Sequence, residues 1–224
     1  MRAQASRGLA MVELLVGSAV GLIVVAAGSV LVARNLTENR ALLIEARLMQ
    51  DLRTAADIVA RDLRRAGYWA SAASGVRSDD GSAVLANPYA AITPDAAASD
   101  AVRFRYSRDA SENGVVDSNE EFGFRLRNGA LELQLGDSNW QALTDPATLT
   151  VTTFSVEPRS EETSLARFCA EPCAVGSTIC PPRQQVKSFT VAISGRSAVD
   201  ANVTRSVQGS VRLRNVPVVG SCEG

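Results

Sequence analysis

Twelve consecutive residues, Asp109-Ala-Ser-Glu-Asn-Gly-Val-Val-Asp-Ser-Asn-Glu120, carry the densest chemistry in this chain. Set against the twelve-residue calcium loop, Asp109, Ser111, Asn113, the Val115 carbonyl, Asp117 and Glu120 fall at positions 1, 3, 5, 7, 9 and 12, with Gly114 at the sharp turn. Ca²⁺ takes about 6 to 8 oxygens, and this string can offer them within one turn of chain. Ser111 is a weak ligand where Asp or Asn is usual, and the flanks read as strands rather than helices. A polar hairpin loop of turn formers is the competing reading. Cys169, Cys173, Cys180 and Cys222 form the second constellation. Their C-x3-C-x6-C spacing does not match the C-x2-C pairs of structural zinc, so disulfides are expected, with three connectivities open. The third feature is Glu13, the one charge in the apolar stretch from Leu9 to Ala33. An ionisable group in such a span costs about 2.5 to 3.5 kcal/mol to insert and demands a partner.

The composition excludes much else. Among 224 residues there is no His, which removes Ser-His-Asp and Cys-His nucleophile pairs and imidazole metal sites. No other catalytic constellation is visible, and no enzyme is expected. Lys+Arg 23 against Asp+Glu 24 leaves a charge of -1, which argues against nucleic-acid binding by bulk electrostatics.

These residues need elements to hold them. Leu14 to Ala33 is uncharged, and about 20 apolar residues at ~1.5 Å rise cross a bilayer core. Arg2 and Arg7 precede it with no acidic residue, so the N-terminus is expected in the cytoplasm and the body outside it. A cleaved secretory signal is disfavoured, because the run is long and carries a carboxylate. Beyond Ala33, residues Ile44, Leu48, Leu52, Ala55, Val59, Leu63 and Ala66 recur near the 3.6 period, which predicts an amphipathic continuation ending at Gly67. Leu9 to Ala66 would form one helix, membrane-compatible over 9–33 and amphipathic over 34–67.

Residues 68–100 read as a connecting region with at most a short strand. Residues 101–224 read as an antiparallel β-sheet packed on the helix stripe. Val102, Phe104 and Tyr106 alternate with arginines, and Phe122, Phe124 and Leu126 lead through Asn128-Gly129, a type I′ turn signal, to Leu131, Leu133 and Leu135. Further alternation falls at 149–151, 186–193 and 203–213. The insert 159–182 holds three cysteines and is expected to be a stapled loop, with Cys222 tying the C-terminus to it.

Two ends of the chain resemble a known family. Arg7-Gly8-Leu9-Ala10-Met11-Val12-Glu13-Leu14 resembles the processing site of type IV prepilins: a basic leader ending in Gly, then an apolar start with Glu fifth. It departs at Leu9, where Phe is usual, and at Ala10, where Thr is usual. Arg61-Asp62-Leu63-Arg64-Arg65-Ala66-Gly67-Tyr68 and Val211-Arg212-Leu213-Arg214-Asn215 are similar to the helix end and last strand of PilW-type minor pilins. The resemblance implies an α+β, type IV pilin-like fold and a leader over 1–8. A prepilin peptidase would cut between Gly8 and Leu9 and methylate the new amine. Glu13 would neutralise the amine of a neighbouring helix during assembly. It further implies a subunit of the inner membrane, then of the pilus fibre, that primes assembly and sits at or near the tip. Partners would be other minor pilins, the major pilin, the assembly platform and a tip adhesin. A J-type pseudopilin of type II secretion shares these features, and a membrane-anchored calcium-binding domain unrelated to pili is a further alternative.

Overall fold

A computed structural model describes residues 11–75 and 85–222. The architecture is α+β, with one long N-terminal helix packed on antiparallel sheets. Helix α1 runs Met11–Leu63, and no Pro interrupts it. By its internal contacts the chain divides between Ile44 and Glu45. In the first unit, every described side chain from Met11 to Leu43 is exposed, with Leu14, Leu22, Ile23 and Val25 all more than 60% accessible. Its length and apolar composition would let it span a membrane.

In the second unit, Leu48, Leu52, Ala55, Val59, Leu63 and Ala66 are buried and enter one continuous core. The expected stripe is therefore the face that packs, while Ile44 at its start is half-buried. Leu52 sits close to the backbone of Gly195: a Cβ there would lie 3.3 Å from Leu52 Cδ2 and 2.5 Å from Leu149 Cδ1, so the missing side chain is what admits the helix.

Helix α1 stops at Leu63, slightly before the expected end, and turns through Arg64–Ala66 into Gly67, whose N–H donates to the Arg105 carbonyl at 2.8 Å. The last carbonyls of a helix lack partners within it. Here Asn215 Nδ2 donates to the carbonyls of Ala66 (3.1 Å) and Arg65 (3.3 Å). The strings 61–68 and 211–215 therefore meet in space.

Two sheets form rather than the single one expected. The first has five strands, β1 Ile92–Thr93, β2 Ala101–Arg105, β3 Glu121–Arg127, β4 Ala130–Leu135 and β5 Trp140–Ala142, paired in that order. Asn128 and Gly129 join β3 to β4 with φ of 50° and 75°, as the two-residue I′ turn requires. The second sheet comprises β6 Leu149–Ser164, β7 Arg183–Ser197 and β8 Thr204–Arg212, with β9 Val218–Val219 also paired to β7. Alternation identifies a strand and its buried face but not its neighbour. The break falls after β5, where the Asp145 side chain and carbonyl accept from Ala147 and Thr148 N–H groups and turn the chain. Both sheets supply the core: Phe104, Phe124 and Leu131 from one, Val156, Phe189 and Ile193 from the other.

Strands β6 and β7 are longer than the apolar pattern indicated. Residues 159–164, expected as loop, pair with 183–188 as a ribbon, exposed along 159–164 and half-buried along 183–188, to which β9 adds at Arg183 and Gln184. Beyond Val156 no residue of β6 is buried, so 159–164 show no apolar period.

Candidate functional site

The loop 109–120 joins β2 to β3, and the pair Arg105↔Glu121 fixes its two ends side by side. Their side chains form a salt bridge of 2.8 Å at its base. Inside the loop the backbone is folded by its own carboxylates and amides. Asn113 N–H donates to Asp109 Oδ2 (3.2 Å), Val115 N–H to Asn113 Oδ1 (2.6 Å) and Asn113 Nδ2 to Asp117 Oδ2 (3.3 Å). Gly114 has φ +74°, the left-handed turn that its position demands. Asp117 then opens a single helical turn, Ser118–Glu120, in which Asp117 N–H donates to Glu120 Oε2 at 2.9 Å.

Asp109, Asp117 and Glu120 converge, each offering a carboxylate oxygen within 4.8 Å of the others. Asp109 is half-buried, Asp117 exposed and Glu120 buried. This triad could hold a metal ion. Glu120 also receives Arg108 N–H on Oε1 (2.6 Å) and the Tyr89 hydroxyl on Oε2 (3.1 Å). Three donors on a carboxylate with about four acceptor positions leave a lone pair for a cation. Asn113 lies among the triad through its bonds to both aspartates. Ser111 is exposed and makes no hydrogen bond among the described residues, and the Val115 carbonyl accepts from Tyr89 at 3.2 Å.

Two participants carry no ligand-spacing signal. Glu112 Oε1 accepts from the Tyr89 hydroxyl (3.1 Å) and Gly114 N–H (3.1 Å), while Oε2 accepts from Ala70 N–H (3.2 Å). Tyr89 is fully buried, and its single proton faces Glu112, Glu120 and the Val115 carbonyl. Burial raises the phenol well above its ordinary range, and the two carboxylates add to this while Ser107 opposes it. For Glu112 burial pushes the carboxyl up, but Ser107, the N–H groups of Gly114 and Ala70, and Tyr89 together hold it below its usual value. The loop is thus bound to the chain that follows α1, at Ala70 and Tyr89.

Elsewhere Cys169 pairs with Cys222 and Cys173 with Cys180. Glu13 lies in the first turn of α1 and is exposed. Gly8 and Leu9 lie outside the described residues.

A family model described as "Prepilin peptidase-dependent protein B" matches residues 41–213. The chain belongs to the prepilin peptidase-dependent protein B family. The match begins after the apolar span, so it stands independently of the string 7–14 that resembles a prepilin processing site. It includes 61–68 and most of 211–215, the segments that meet at the helix end. Membership supports a protein associated with type IV pili and dependent on prepilin peptidase. Neither the curated proteins nor the solved structures compared with the chain gave a match.

Proposed function

We propose that this chain is a PilW-like minor pilin, a structural rather than catalytic subunit that helps prime type IV pilus assembly and sits at or near the pilus tip. The observation that carries the reading is a coincidence of independent signals. A family match over 41–213 and a string at 7–14 that resembles a prepilin processing site lie at either end of the same apolar span. In this reading the peptidase cuts after Gly8 and methylates Leu9. The helix then waits in the inner membrane with its N-terminus in the cytoplasm. On assembly, Glu13 neutralises the new amine of a neighbouring subunit, which offsets part of the cost of burying both charges and sets the axial stagger. The neighbours are other minor pilins, the major pilin, the assembly platform and a tip adhesin.

Mass spectrometry of the membrane form tests the processing step: a mature start at methylated Leu9 is expected, and an intact Met1 would reject it. Deleting the gene is expected to abolish or reduce pili while protein secretion continues. Lost secretion with normal pili would instead select a J-type pseudopilin.

We also infer that the ion suited to the loop is Ca²⁺. The support is chemical: hard oxygen donors from Asp109, Ser111, Asn113, Val115, Asp117 and Glu120, in the order that the calcium loop uses. Extracellular modules of this kind bind at ~0.1 to 1 mM, so such a site would fill only after export.

A further inference from the structure

One row of side chains crosses all five strands of the first sheet on the face turned away from the core. The register runs Thr93↔Arg103, Arg103↔Gly123, Gly123↔Gln134 and Gln134↔Trp140. At its centre the space over Gly123 is taken up by its neighbours: a Cβ there would lie 2.7 Å from the Val102 carbonyl and 3.2 Å from both Gln134 Oε1 and Trp140 Cη2, so only glycine fits beneath them. The ring of Trp140 is held from one side by Arg125, whose guanidinium carbon lies 4.0 Å from the ring centroid and which is itself paired with Glu132 at 2.7 Å. Beside this wall opens a cavity of about 310 Å³ whose lining includes Thr93, Arg103, Arg105, Glu121 and Gln134 alongside apolar residues.

Two groups lining the cavity lack a polar partner among the described residues. Gln134 is 5% exposed, and its Oε1 makes no hydrogen bond among the described residues. Such an acceptor carries a desolvation cost that a Leu of similar size would not incur. Arg103 is exposed and lies 5.8 Å from the Trp140 ring centroid, with no ion pair among the described residues, whereas Arg105 is neutralised by Glu121 at 2.8 Å. The local charge is therefore positive. A complementary ligand needs one anionic acceptor for Arg103. It also needs several donors for Gln134 Oε1, the Thr93 hydroxyl and the Glu121 carboxylate. A hydroxylated ring bearing a carboxylate supplies both, and the volume suits one such ring rather than an extended chain.

We propose that this trough binds a single acidic sugar unit, a pyranose carrying a carboxylate, with Arg103 on the carboxylate and Gln134, Thr93 and Glu121 on the hydroxyls. The inference is independent of processing and of calcium. It gives the exposed sheet face a recognition role distinct from assembly.

Calorimetric titration of the full-length chain in detergent micelles with glucuronate and with N-acetylneuraminate tests it. Saturable binding of at least one acidic sugar at one site is expected, with glucose and acetate each weaker by roughly tenfold or more. Arg103→Gln should weaken binding by roughly tenfold or more, because it removes a charge-assisted contact. Gln134→Leu should weaken binding while leaving the melting temperature unchanged or higher, an outcome that a purely structural glutamine would not give. Arg103 is exposed, so its variant carries the test even if the Gln134 variant misfolds. The proposal is overturned by no binding at concentrations up to about 10 mM, by glucose or acetate binding as tightly as glucuronate, or by undiminished binding in Arg103→Gln.

Discussion

At Tyr89 one hydroxyl serves two carboxylates. Removing it leaves Glu112 and the buried Glu120 one donor short, and the cost of an unmet buried acceptor is about 1–3 kcal/mol. Tyr89→Phe should lower the unfolding free energy by about that amount, measured by urea denaturation of the detergent-solubilised chain. Asp109 has a different role, since among the described residues it holds only Asn113 N–H and otherwise faces Asp117 and Glu120. Calcium at about ten times its Kd should stabilise the protein by about 1.4 kcal/mol. Asp109→Ala should abolish that gain, and a melting temperature indifferent to chelator in the unmodified chain would end the calcium reading. The convergence of Asp109, Asp117 and Glu120 was legible because it is local, within twelve residues. Tyr89 and Glu112 were not legible. Tyr89 reaches Glu120 across 31 residues from a segment without periodicity, and Glu112 occupies a loop position that supplies no oxygen in the pattern.

Among the elements, α1 shows two kinds of apolar surface that composition alone would treat alike. Leu52 is fully buried against β7, whereas Leu22 is 70% exposed. Leu52→Ala should cost about 2–5 kcal/mol in unfolding of the globular unit, and Leu22→Ala should leave that transition unchanged when both are followed by near-ultraviolet circular dichroism. The helix and its buried face were readable because a period near 3.6 survives over seven residues of one stripe. The sheets were readable as strands only. Their partition into two followed from the Asp145 turn and from which faces meet over α1, neither of which alternation encodes. The ribbon formed by the outer halves of β6 and β7 was invisible for a related reason: its stability comes from backbone pairing and covalent ties rather than from apolar side chains.

For the whole molecule, the two disulfides contribute unequally. Cys169–Cys222 spans 53 residues and Cys173–Cys180 spans 7. In the chain-entropy model the long closure stabilises by about 4 kcal/mol and the short one by about 2 kcal/mol. Cys222→Ser should therefore lower the urea midpoint more than Cys173→Ser, each compared with the oxidised parent. Sequence spacing left this pairing open, because it depends on how far the ribbon carries Cys169 and where β9 returns the C-terminus beside β7. The long bridge also makes β7, β8 and β9 parts of one covalent ring. Tension applied beyond Cys222 would pass through the bridge to Cys169, so those strands are not peeled a rung at a time. Rupture there must break a covalent bond or many backbone hydrogen bonds at once, which gives that part of the molecule mechanical toughness.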